Sequence, residues 1–197
     1  MPTCDVSIIA LGRDLSNARL QRVMRSLKDE QITFEVFTKR GGRVQRVLGA
    51  WIVPWRAKGK VLFTPDPESA IAISYIARLR RKRWIADVRE DYKLLIEDRS
   101  WAKGIKKVIG NLLADWAVSA SASADLTIVV DDWVKPLMAR NRIVVHNAPD
   151  VRFLPEPSNT NELDSKPRAL YVGDVRSSRG LFSMLRAIEL TDDWTLD

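Results

Sequence analysis

A short apolar run rich in β-branched residues, Val6-Ser7-Ile8-Ile9-Ala10-Leu11, is followed by a segment with Leu20, Val23, Met24 and Leu27 at helical spacing and then directly by a second strand, Thr33 to Thr38. Runs of that kind suit strands buried on both faces of a parallel sheet, and strand, helix, strand with short connections is a βαβ unit. Gly12 ends the first run, Asn17 is placed to cap the helix, and Arg19, Arg22, Arg25 and Lys28 take its other faces. The pattern recurs: strands at 61–64, 84–88, 126–130 and 143–145 alternate with helical spacing at 70–79, 105–120 and 133–139. About six strands alternating with helices predict an α/β fold with a doubly wound, Rossmann-like parallel sheet. Binding sites in such sheets lie in loops after the carboxyl ends of strands, here the loops beginning at Gly12, Pro65, Arg89, Asp131 and His146.

After Asn147-Ala148-Pro149-Asp150 the composition changes, with Pro155, Pro157 and Pro167 set among Ser, Asn, Thr and Glu. The expected organisation is a Rossmann-like domain over 1–150, a linker over 151–167, and a strand-helix unit over 168–197. In the last unit 169–173 reads as a strand, 181–190 as a helix starting at Gly180, and 194–197 as the opening of another strand. One strand and one helix cannot bury a core, so this unit is expected to be a second Rossmann-like domain cut short, or a βα piece docked on the first.

Of the 197 residues 46% are hydrophobic and 29% charged, which excludes a disordered chain. Cys4 is the sole cysteine and His146 the sole histidine, so an intrachain disulfide and the common zinc sites are excluded, no metal is expected, and a reducing, cytoplasmic setting fits. The N-terminus lacks a signal-peptide pattern, and no stretch approaches the roughly 20 apolar residues of a membrane span, so any membrane contact is expected to be peripheral.

In Tyr171-Val172-Gly173-Asp174-Val175-Arg176-Ser177-Ser178-Arg179-Gly180-Leu181, a strand, a glycine turn and two arginines precede a helix. Free N–H groups and the positive helix end, with Arg176 and Arg179 added, make a site for a phosphate or diphosphate; the alternative is a surface turn with solvated arginines. Here the chain resembles the family-four glycosyltransferases, retaining enzymes with the two-Rossmann-domain GT-B fold. Their second domain opens with a strand, a Gly, and a basic residue six positions later followed by Gly, the spacing of Gly173, Arg179 and Gly180. The resemblance implies that these residues bind the donor diphosphate. Asp174 stands where the family has an Arg directly after the first Gly, and Arg176 is the candidate to supply that charge.

The order of elements extends the resemblance. Ala124-Asp125 before the strand at 126–130, and the strand ending His146-Asn147, are similar to the family's segments ahead of its second domain; Gly12 sits where its first loop lets substrate approach the backbone. The resemblance implies transfer from a nucleotide-sugar, itself a substrate and not a cofactor, to a glycan, lipid-linked or small-molecule acceptor, with Gly12, Asp66, Arg89, Glu90, Asp91 and Asn147 on the acceptor side. Carboxylates beside an arginine can orient sugar hydroxyls, although Arg89-Glu90-Asp91 and Asp66 read equally as salt-bridged loops, and the family's loop histidine is missing here. No catalytic residue is assigned: the family's paired-glutamate motif is expected beyond Asp197, so these residues alone are expected to turn over little. A non-catalytic α/β module binding phosphate-bearing ligands or anionic surfaces is the alternative.

The net charge of +7 owes much to Arg78, Arg80, Arg81, Lys82 and Arg83, with Lys103, Lys106 and Lys107 elsewhere. Such a run is a solvated face or, as in family members acting on lipid-linked acceptors, a contact with anionic membrane. Trp51 and Trp55, flanking Ile52 and Val53, fit core packing, with an interfacial apolar patch as the alternative. The basic residues are not interleaved with aromatics, so no nucleic-acid partner is expected.

Overall fold

The computed structural model describes residues 4–38, 42–99, 102–147, 167–172, 180–191 and 193–197. The chain divides into two units, Met1–Asn147 and Ala148–Asp197. In the first, β1 (Val6–Ala10), β2 (Phe34–Thr38), β3 (Val61–Thr64), β4 (Arg83–Val88), β5 (Leu126–Val129) and β6 (Arg142–Val144) form one sheet in the order β2-β1-β3-β4-β5-β6. All neighbouring strands are parallel. This is the α/β, Rossmann-like sheet expected from the alternation.

Alternation within β1 sorts its side chains between two layers. Ile8 points to one face with Phe63 and meets Leu20, Val23, Met24 and Leu27 of α1 (Ala18–Asp29). Ile9 belongs to the other cluster, with Leu62, Val88 and residues of α3 (Pro67–Leu79) such as Ile73 and Ile76. The Asn17 carboxamide oxygen accepts from the Leu20 amide at 3.1 Å, capping α1 as its position suggested. On α3's side of the sheet α2 (Arg43–Arg56) and α5 (Ile105–Ala122) pack on its two flanks. A short helix, α4 (Tyr92–Glu97), precedes α5.

Three differences from the sequence pattern have physical causes. The segment 133–139 is a series of turns and not a helix. Pro136 lacks an N–H and restricts the residue before it, and Arg142 instead donates to the carbonyls of Pro136 at 3.1 Å and Asp132 at 2.7 Å, holding the segment irregular. The stretch carrying Trp51 and Trp55 is a helix, α2, which tolerates Pro54 inside it, and both tryptophans are exposed and not in the core. Finally, the basic run is not one solvated face: Arg80 donates to the Ala57 carbonyl at 2.9 Å and Lys82 to the same oxygen at 2.8 Å. They satisfy carbonyls at the end of α2, where the helix dipole favours cations.

Gly59 follows α2 where the chain passes against β1, and a Cβ there would lie 2.5 Å from the Ser7 amide nitrogen. Its own amide donates to Ser7 Oγ at 2.7 Å, and that hydroxyl donates to Glu35 Oε1 at 2.7 Å. Only glycine allows this approach.

In the second unit, β7 (Arg168–Ala169) and β8 (Thr195–Leu196) pair in parallel, with α6 (Leu181–Glu189) between them in sequence. Arg168 grips Asp197 through Nε at 2.9 Å and Nη2 at 2.6 Å. An apolar cavity of about 410 Å³ is lined by Leu170, Tyr171, Met184, Ile188, Trp194 and Leu196. None of the described side chains of this unit is buried.

Candidate functional site

Reading along the chain, β2 lies on one side of β1 and β3 on the other, so the strand order reverses between β1 and β3. At such a switch point the loops after the strands diverge and leave a crevice, the usual ligand position in open α/β sheets. Gly12 and Arg13 follow β1 here, and Asp66 follows β3. Thr64 ties the two together: its Oγ1 donates to the Ile9 carbonyl at 2.8 Å and accepts from the Asp66 amide at 3.2 Å.

Asp66 stands at the N-cap position of α3, ahead of Pro67, yet its carboxylate does not cap the helix. It turns to the switch point, where Gly12 N–H donates to Oδ2 at 2.6 Å and Arg13 Nε stands 3.6 Å from Oδ1. A Cβ on Gly12 would lie 2.9 Å from Asp66 Oδ1, so the missing side chain makes room for this carboxylate. Burial, with Glu68 nearby, pushes the Asp66 carboxyl up from 3.8 to about 6; the Gly12 hydrogen bond and Arg13 and Arg46 oppose the shift.

One strand further along, Asp87 is 2% exposed and holds two guanidinium groups. Arg19 Nη2, from the first turn of α1, donates to Oδ1 at 2.7 Å, and Arg89 Nε donates to Oδ2 at 2.9 Å. Burial lowers the pKa of Arg89; Arg13 and Arg19 add to this and Asp87 opposes it. Burial raises the phenol of Tyr92, and the charges of Asp87, Asp66 and Glu68 raise it further. The edge thus gathers Arg13, Arg19 and Arg89 around two buried carboxylates, Asp66 and Asp87, one of which titrates near 6. Chemically, such an edge attracts an anion and can donate several hydrogen bonds to it.

Gly12, Asp66 and Arg89 of the expected acceptor residues therefore meet at this edge. Asp91 is committed to capping α4, accepting from the Lys93 amide at 2.9 Å and the Leu94 amide at 3.2 Å, with Lys135 Nζ 3.7 Å away. Glu90 is exposed. Asn147 Oδ1 accepts from Arg22 Nη2 at 2.8 Å, which joins the end of the first unit to α1. His146 Nδ1 is 3.2 Å from the Val130 carbonyl oxygen, a backbone contact that orients the ring.

Of the expected diphosphate residues, Gly173, Arg176 and Arg179 lie outside the described residues, and Gly180 takes a left-handed conformation (φ 75°) as the residue before α6. Arg13, Arg19, Asp87 and Tyr92 were not singled out as site residues by sequence reasoning. The signal for Asp87 was an acid inside an otherwise apolar strand two residues before an arginine, a place where only a paired charge is tolerated. Among the described residues no three His, Cys, Asp or Glu side chains gather as a metal-binding group, and no helix is long and apolar enough to cross a membrane. A scan against protein-family models and a search of curated proteins find no match for the chain.

Proposed function

We propose that the edge at the β1/β3 switch point is the acceptor-binding face of a retaining, family-four-type glycosyltransferase, and that its acceptor carries a phosphate or carboxylate group. The observation that supports this reading is the convergence of Arg13, Arg19 and Arg89 on only two buried carboxylates at the position where open α/β sheets bind ligands. The donor is a nucleotide-sugar, whose diphosphate is assigned to Gly173, Arg176, Arg179 and Gly180 by the resemblance. In the transfer, the bond between the anomeric carbon and the diphosphate oxygen breaks with its electron pair leaving on the diphosphate, and the acceptor oxygen bonds to the same face of the sugar and passes its proton to the departing diphosphate oxygen. The protein's part is positioning and charge stabilisation. The single cysteine fits a cytoplasmic setting for this chemistry.

The same arginines also favour a second reading, a non-catalytic module that binds phosphate-bearing ligands without transfer. Both readings need anion binding at this edge, and a hexose sulfate tests it because its charge is constant between pH 5 and 8. Calorimetric titration is expected to show binding that tightens as the pH falls through about 6, where Asp66 takes up a proton and its charge no longer offsets that of Arg13. Arg13→Gln and Arg89→Gln are each expected to weaken it about tenfold, the worth of one charge-assisted hydrogen bond. Equal affinity for the neutral hexose, or for the two variants and the parent, overturns the assignment.

A further inference from the structure

The helices on α3's side of the sheet are apolar on the wrong side. In α5, Ala114, Ala117 and Ala120 are buried, while Ile105, Val108, Ile109, Leu112, Leu113 and Trp116 face outward, Ile105 at 75% exposure. In α2, Ala50 and Pro54 are buried and Val44, Val47, Leu48, Trp51, Ile52 and Trp55 are exposed. Each set recurs three or four residues apart, which makes a continuous stripe along its helix. α1 shows the ordinary arrangement, its Leu20 buried and Arg25 and Lys28 outward.

The two stripes form one surface. Trp51 stacks on Tyr75 of α3 with ring centroids 6.3 Å apart, and Tyr75 meets Trp116 edge-on at 6.3 Å, so a row of aromatic rings bridges from α2 to α5. Stripes of about 16 Å on helices separated by a third give a face about 16 by 20 Å, comparable to the largest apolar patch of an ordinary domain, which is often functional. Crossover helices of a parallel sheet run side by side in one direction, which places Lys103 and Lys106 at one end of the face and Arg56 and Arg78 at the other. None of these four has an ion-pair partner among the described residues, and all are exposed. Beside Arg78 a cleft of about 160 Å³, walled by Tyr75 and Trp116, also presents Ser74, Ser119 and Ser123.

We propose that this face rests on an anionic lipid bilayer, with α2 and α5 lying in the plane of the interface, the tryptophans at headgroup depth, and a lipid phosphate beside Arg78. Interfacial helices combine an apolar stripe with cations that reach the headgroups, which is the arrangement here. A second copy of the chain is a poorer occupant, because a two-fold contact through this face brings like cations together at its ends. The proposal does not depend on the sugar-transfer reading.

Co-sedimentation of the chain with vesicles tests it. Binding to vesicles with one-third phosphatidylglycerol is expected, with little to pure phosphatidylcholine, and brominated lipids are expected to quench the tryptophan fluorescence of the bound protein. Lys103→Glu/Lys106→Glu is expected to weaken binding at least tenfold, since each basic residue near the surface contributes about fivefold. Leu112→Ser/Trp116→Ser is expected to weaken binding and reduce quenching while circular dichroism stays that of the parent, because the outward side chains leave the core intact. Binding that survives both variants, absence of binding to the anionic vesicles, or a parent dimer that the serine variant dissociates, overturns the proposal.

Discussion

Replacing Asp87 by asparagine is expected to destabilise the first unit by about 3–5 kcal/mol, because Arg19 and Arg89 would be left as buried charges with no counter-ion. Urea unfolding at neutral pH measures the loss. A buried charge cluster is weak evidence for stability, since apolar residues of similar volume often do as well or better. The combined variant Arg19→Met/Asp87→Leu/Arg89→Met is accordingly expected to recover most of the stability while losing binding of the hexose sulfate. That pair of results would assign the cluster to ligand binding and not to folding. A cost below about 1 kcal/mol for Asp87→Asn would mean that water reaches the two guanidinium groups.

Asp66→Asn is expected to act in the opposite direction. The folded-state value of about 6 lies above the ordinary 3.8, so the native chain holds this proton more tightly than the unfolded chain does. The stabilisation from the protonated form is complete below about 3.8 and is lost as the pH rises through about 6. Asparagine imitates the protonated acid and still accepts the Gly12 N–H. The variant should therefore be more stable than the parent by on the order of 3 kcal/mol at pH 7.5, shrinking below pH 6 and vanishing below pH 4. Urea unfolding across that range checks it, and a variant that is less stable than the parent at pH 7.5 would show that the ionised carboxylate is favourable in place. A gain in stability from removing a charge at a ligand-binding edge is the usual signature of a residue kept for function.

Where the chain obeys local rules, its sequence foretold the fold. The run at 6–11 is a strand because continuous β-branched apolar side chains need cover on both faces, the more mixed runs at 33–38 and 84–88 were legible from their place in the strand-helix alternation, and Asn17 caps α1 as its chemistry demands. α2 was missed because Gly49 and Pro54 fall within it, and both residue types argue against a helix interior when read from the sequence. Residues 133–139 failed in the other direction, their apolar spacing overruled by Pro136 and by the carbonyl contacts of Arg142. At the site, loops after strand ends pointed to Gly12, Asp66 and Arg89. Arg19 was not legible because its placement depends on where α1 crosses the sheet, which is a property of packing. Asp91, adjacent to Arg89 in sequence, turned out to be a helix cap, since a short acidic side chain before a helix start finds backbone N–H groups first.

The exposed stripes and the charged edge place two different demands on one small domain: one face for a surface, one edge for a ligand. Alanines on the inner sides of α2 and α5 let these helices sit close to α3 while their bulk points outward. Membrane contact at that face would leave the switch-point edge at the ends of the same helices, within reach of a ligand presented at the bilayer.

The most direct measurement is the anomeric configuration of the product formed by the protein expressed from its complete reading frame, supplied with nucleotide-sugars and an acceptor bearing a phosphate or carboxylate, read by proton NMR. Transfer with the donor's configuration retained, and lost when Arg13 and Arg89 are both replaced by glutamine, is the predicted result. An inverted product, transfer undiminished in that double variant, or anion binding at the edge with no transfer from any nucleotide-sugar would contradict the glycosyltransferase account.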